Sequence, residues 1–182
     1  MKQNINQLLD KLFEECPKGT YKVPVIETPK ISEAEQFLID MNVSYTISNG
    51  IITVDDNLNI IDKGLTDLPD LRQVIVKGDF DCSNNQLTSL QYAPQTVTGD
   101  FYCNNNQLTS LQYAPQTVSG YFDCSSNQLT SLQYAPQTVT GGFYCCNNQL
   151  TSLEHVSKDF KTLYSDFGTF ASYSKIPKKL LK

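Results

Sequence analysis

The string Leu87-Thr88-Ser89-Leu90-Gln91-Tyr92-Ala93-Pro94-Gln95-Thr96-Val97 recurs verbatim from Leu108 and Leu129 and begins again at Leu150, a period of 21 residues. A unit this short cannot bury its own apolar edge, so successive units must stack on one another. Each reads V-x-x-x-F-x-C-x-x-N-x-L-x-x-L, starting at Val76, Val97, Val118 and Val139. The F-x-C step has the two-residue period of a strand that buries alternate side chains. Phe80/Cys82, Phe101/Cys103, Phe122/Cys124 and Phe143/Cys145 are therefore expected to point inward. The asparagine that follows (Asn85, Asn106, Asn127, Asn148) falls where the chain leaves the strand. Its amide can bond the exposed backbone there, and stacked copies can form a ladder. Two leucines then return to the core, and the proline favours extended backbone over helix on the way back.

The pattern F-x-C-x-x-N-x-L-x-x-L resembles the leucine-rich-repeat core L-x-x-L-x-L-x-x-N-x-L, with Phe and Cys in two of the Leu positions, over roughly residues 57–153. The short period, with Pro on the return, is most similar to leucine-rich-repeat proteins of bacterial effectors and to phage-encoded relatives. The resemblance implies a repeat solenoid with a single parallel β-sheet on the concave face and an extended or irregular convex side. The solenoid is expected over 57–155, with a C-terminal cap and basic tail over 156–182. Upstream, Leu58-x-Ile60-x-x-Lys63-x-Leu65-x-x-Leu68 fits the template 22 residues before Phe80, with Lys63 in the Asn position, as a degenerate first turn. Downstream, Tyr164 stands 21 residues after Phe143 and Phe160 stands 21 after Val139, which suggests a worn last turn.

Residues 1–56 differ in kind and are expected to form a small α+β cap of two helices and a hairpin. Ile5, Leu8, Leu9, Leu12 and Phe13 share one helical stripe that Pro17-Lys18-Gly19 ends. Ser32-x-x-Glu35 is a capping-box signature before a helix with Ala34, Phe37, Leu38 and Met41 on one face. Val43, Tyr45 and Ile47 alternate, Asn49-Gly50 signals a type I′ turn, and Ile52 and Val54 alternate back.

The formal net charge is −5, and outside Lys175, Lys178, Lys179 and Lys182 no basic face is visible. Direct binding of nucleic acid or an anionic membrane is thereby disfavoured. No stretch approaches the roughly 18 apolar residues of a spanning helix, and the N-terminus lacks a secretory h-region, so the expected compartment is the cytoplasm. Chemistry-bearing patterns are equally thin. The repeat cysteines stand 21 apart, unlike zinc ligands, and read as small buried hydrophobes; Cys146 should face outward. His155 is the single histidine and has no nucleophile placed near it by local sequence. Asp55-x-Asn57-x-Asn59 faintly resembles a calcium loop but has Ile60 and Thr66 where glycine and glutamate belong. No enzyme activity, cofactor or metal is expected.

Between the buried strand positions lie residues that should face outward in rows. The central row is Asn59, Asp81, Tyr102, Asp123, Tyr144; beside it run Asn57, Asp79, Asp100, Tyr121, Gly142 and, on the other side, Ile61, Ser83, Asn104, Ser125, Cys146. These rows vary while the scaffold repeats, and they are rich in Asp and Tyr. Tyrosine gives stiff amphipathic contact area, and aspartate steers a basic partner. The expected binding residues are Asp79, Asp81, Asp100, Tyr102, Tyr121, Asp123 and Tyr144, and the expected partner is a protein, basic or itself nucleic-acid-binding. A structural reading competes: Asp and Tyr alternate so that like charges do not face each other across strands. Tyr92, Tyr113 and Tyr134 recur unchanged and are expected to stack along the back as a structural ladder. The leading expectation is a non-catalytic binding module, inhibiting or redirecting a host protein by analogy with the resemblance. An acidic nucleic-acid mimic and a substrate-recognition subunit for an enzyme on another chain are the rivals.

Overall fold

The computed structural model describes residues 31–182. The expected helical stripe over 5–13 lies outside them. Helix α1 (Glu33–Asp40) opens on the expected capping box: Ser32 Oγ accepts from the Glu35 amide at 3.2 Å, and Glu35 Oε2 accepts from the Ser32 amide at 2.9 Å. Its Ala34 and Leu38 are buried. Strands β1 (Thr46–Ser48) and β2 (Ile51–Val54) form an antiparallel hairpin. Asn49 (φ 52°) and Gly50 (φ 77°) are both left-handed, as a type I′ turn requires. Ile52 and Val54 are buried, whereas Ile47 stays half exposed on the outer strand.

Two ladders of very short strands then build a β-solenoid. The first contains β3 (Leu58–Asn59), β5 (Phe80–Asp81), β7 (Phe101–Tyr102), β9 (Phe122–Asp123), β11 (Gly142–Tyr144) and β12 (Thr162–Ser165), all parallel. An antiparallel strand, β13 (Gly168–Phe170), closes its last edge. The second ladder, where an extended or irregular convex side was expected, joins β2 to β4 (Val74–Val76) and β6 (Thr96–Val97), and separately β8 (Thr117–Val118) to β10 (Thr138–Val139). Its strands are parallel apart from the hairpin partner β1. It breaks between β6 and β8, where a hollow of about 420 Å³ opens beside Gln95, Val97, Thr117 and Ser119. The two ladders meet at the Gly-containing corner after each valine. A Cβ on Gly99 would land on Asp79 Oδ1 and the backbone of Gly78, so the close approach of neighbouring coils there needs glycine.

The core between the ladders is a column of repeated side chains. Phe80, Phe101, Phe122 and Phe143 are completely buried, with successive ring centroids 5.2, 5.8 and 5.2 Å apart. Burying each such side chain stabilises the fold by roughly 1.5–3 kcal/mol. The interior partners Cys82, Cys103, Cys124 and Cys145 are equally buried. Each thiol reaches a carbonyl of the next strand, for example Cys103 Sγ to Asp123 O at 3.4 Å.

Strands of two residues cannot hold a stack by sheet pairing alone, and the asparagines supply the difference. Asn127 Oδ1 accepts from the Leu108 amide at 2.9 Å. Its Nδ2 lies 3.0 Å from Cys103 O in the preceding coil and 3.1 Å from Cys124 O in its own. Asn85, Asn106 and Asn148 make the equivalent set in their own coils. The residue immediately before each asparagine turns the chain: Asn84, Asn105, Ser126 and Asn147 all have φ near +54°, tolerable for short polar side chains.

The register departs from expectation in the last coil. Leu163 pairs with Phe143, and Tyr164 with Tyr144, so that coil is one residue shorter than the repeat. Leu163 and Ser165 are the buried substitutes for Phe and Cys, and Tyr164 faces outward. The tail then folds back on this coil: Leu153 donates to Leu180 O at 2.6 Å, and Ile176 is buried.

Replacing Asn127 by alanine strands a buried amide and buried carbonyls in two coils at once. The expected loss is about 2–4 kcal/mol in urea denaturation, whereas exposed Gln128→Ala should stay within about 0.5 kcal/mol. Equal effects at the two sites would refute the bridging role.

Candidate functional site

The first ladder carries the expected rows in the expected register. Pairing sets Asn59, Asp81, Tyr102, Asp123 and Tyr144 side by side and extends that row to Tyr164, which 21-residue counting had placed in the buried Phe position. Among these row positions and their continuation at Asp166 stand five aspartates (Asp79, Asp81, Asp100, Asp123, Asp166) and no lysine or arginine. None of the five appears in the ion pairs of the described residues, which are Arg72–Asp70, Lys77–Asp55 and the long His155–Glu154 contact.

These carboxylates are not simply free surface groups. Asn57 Oδ1 accepts from the Asp79 amide, Asp79 Oδ1 from the Asp100 amide and Asp100 Oδ1 from the Tyr121 amide, at 2.7–2.8 Å. Asp79 and Asp100 therefore stitch neighbouring coils, a structural duty that reading them only as binding residues missed. Asp81 and Asp123 cap their own strand ends by accepting from Ser83 and Ser125, at 2.9 and 2.8 Å. The second oxygen of Asp100 accepts from the Tyr102 hydroxyl at 2.6 Å. Burial, reinforced by that hydrogen bond and by neighbouring aspartates, pushes the Tyr102 phenol upward. Burial likewise raises the Asp123 carboxyl, with repulsion from Asp81 adding to it and the Ser125 contacts opposing it.

The C-terminal half of the face is aromatic. Tyr144 and Tyr164 lie parallel, centroids 4.6 Å apart and planes 8° from coplanar, and Tyr121 meets Tyr144 edge-on at 6.0 Å. The side-chain ladder ends at Tyr121, and there β11 lengthens to include Gly142. With no side chain at Gly142, the rings lean over it and leave a hollow of about 170 Å³ bordered by Tyr121, Tyr144, Tyr164, Lys161 and Thr162. Tyr121 and Tyr164 are 46% and 36% exposed, large values for rings on a packed sheet. The alternation Leu163-Tyr164-Ser165 was the signal in the sequence that would have found Tyr164.

The remaining candidates behave differently. Tyr92, Tyr113 and Tyr134 form no mutual ring contacts: Arg72 covers Tyr92 at 5.0 Å, while Tyr113 and Tyr134 are about half exposed. The expected stacked ladder is absent, and each of the three sits on left-handed backbone at φ 69–75°. His155 occupies the next equivalent position, at φ 67°, and is exposed. A hollow of about 590 Å³ lies beside Tyr134, His155, Gln137 and Lys158. The thiols of Cys82, Cys103, Cys124 and Cys145 are pushed up by burial. Cys146 is the partly exposed one, raised by partial burial and then by Asp166 and Asp123. Among the described residues no three His, Cys, Asp or Glu side chains gather as metal ligands, and no helix is long and apolar enough to cross a membrane. Comparison with protein-family models, curated proteins and solved structures returns no match.

Because Asp123 is raised in the fold, its ionisation opposes folding: its contribution is fully present below the unfolded carboxyl range and is lost as pH rises through the folded pKa. Asp123→Asn keeps the acceptor for Ser125 and removes the charge. The variant should be more stable than wild type at pH 7, with the gap closing below about pH 4, where Asp is protonated. A constant gap across thermal scans from pH 3 to pH 7 would show that the charge is not the cause. Thiol labelling in a Cys16→Ser background should modify Cys146 first and leave the four interior thiols protected until unfolding.

Proposed function

We propose that the chain is a non-catalytic binding module of the short leucine-rich-repeat type, which docks a basic protein on the outer face of its first ladder. The observation that carries this is the face itself: rows with five aspartates and no cation, running into an exposed tyrosine cluster, on a scaffold that otherwise repeats. Aromatic anchors beside unpaired acids are the composition of an interface that steers and then holds a cationic partner. Helix α1 and the first hairpin act as the N-terminal cap, and the back-folded tail as its C-terminal counterpart. By analogy with effector and phage repeat proteins, docking blocks or redirects that partner.

The test is a pull-down from host lysate that compares wild type with Tyr121→Ala/Asp123→Asn/Tyr164→Ala and with a back-face control, Tyr113→Ala/Tyr134→Ala. The first variant should lose the partners that the control keeps. If the first, folded by circular dichroism, retains every partner, the reading fails. A partner displaced by duplex DNA, with steep salt dependence, favours the nucleic-acid mimic instead.

A further inference from the structure

We infer that the hollow over Gly142 is a seat for an arginine side chain of the partner. This rests on the acidic, aromatic face just proposed as the binding surface and names the group that it recognises.

The seat is built by an omission. In the outer row Asn57, Asp79, Asp100 and Tyr121 each project a side chain, and Gly142 does not. Three rings close around the gap: Tyr144 and Tyr164 as a parallel pair, Tyr121 turned edge-on by 61°. Stacking at 4.6 Å occupies the facing surfaces of Tyr144 and Tyr164 with each other, so a flat ligand in the hollow meets ring edges and the half-exposed ring of Tyr121. A Cβ at residue 142 would come within 2.8 Å of Tyr144 Cε2 and 3.1 Å of Tyr121 Cδ1, so even a methyl group displaces the rings.

Aspartates beside the rings favour a cation, although none lines the hollow itself. Asp123 neighbours Tyr144 across the β9–β11 pairing, and its Oδ1 accepts from the Ser125 amide. Burial, and to a smaller degree the like charge of Asp81, disfavours its carboxylate, and an incoming cation offsets both. Between the two cationic side chains, guanidinium fits better. It is planar, stacks on aromatic faces and gives up its weaker hydration more easily than an ammonium. Lys161 borders the hollow with the wrong sign, but it is exposed, so its stem can line the rim while its ammonium stays in water.

Labelled hexa-arginine and hexa-lysine peptides have equal length and charge, and fluorescence anisotropy at low salt compares them. Wild type should bind hexa-arginine roughly threefold more tightly, the size that one cation–π contact at an exposed site supports. Gly142→Ala and Tyr164→Leu should each erase that preference, bringing hexa-arginine down to the affinity of hexa-lysine, with circular dichroism showing that the variants remain folded. Lys161→Ala should strengthen arginine binding. Equal affinity of the two peptides for wild type, or a preference that survives both variants, overturns the arginine seat and leaves the acidic face standing. If neither peptide binds, the cation-binding face falls together with the seat.

Discussion

The stack depends on one hydrogen-bonding amide per coil. Most strands here are two residues long, too short for sheet pairing to overcome the conformational entropy of ordering a 21-residue turn. Each asparagine instead ties its own strand end to the coil before it, accepting an amide proton and reaching carbonyls on both sides. Because these groups are buried, leaving any of them unpaired carries the full desolvation penalty. The amide thus fixes, residue against residue, how one coil sits on the next. The phenylalanine column supplies the hydrophobic gain, but it does not by itself specify which coil sits on which.

The aspartates of the outer row show the same economy of means. One oxygen of Asp79 and one of Asp100 replace a missing strand hydrogen bond, while the charge they carry remains on the surface. The same carboxylates that would meet a partner thus also hold the coils together. Burying part of this charge disfavours its ionised form, as the raised carboxyl of Asp123 shows.

Much of this was legible before the structure. The alternation of Phe and Cys, the asparagine turn, the capping box at Ser32 and the Asn49-Gly50 hairpin each depend on local chemistry that a sequence displays directly. The second ladder was not, because a Thr-Val pair downstream of a proline looks like plain extended return until its neighbours are seen to pair. Tyr164 was misplaced because a constant period was carried past Phe143 into a coil that has lost a residue. The back tyrosines failed differently: repetition shows that Tyr92, Tyr113 and Tyr134 share an environment, but not that their backbone is left-handed and their rings apart. The stitching role of Asp79 and Asp100 was hidden for a related reason, since an outward-pointing carboxylate and one that accepts from the next coil occupy the same sequence position.

The near-identity of the central coils has a kinetic side. Sliding one part of the chain by a whole repeat would re-form nearly the same phenylalanine contacts and asparagine bridges, so the interior discriminates poorly between native and slipped stacks. What breaks the degeneracy is the pair of irregular ends: 22 residues separate Leu58 from Phe80, and 20 separate Phe143 from Leu163. These odd-length turns act as a vernier, because only one alignment satisfies both at once. The least repetitive parts of the chain thereby decide how its most repetitive part is assembled.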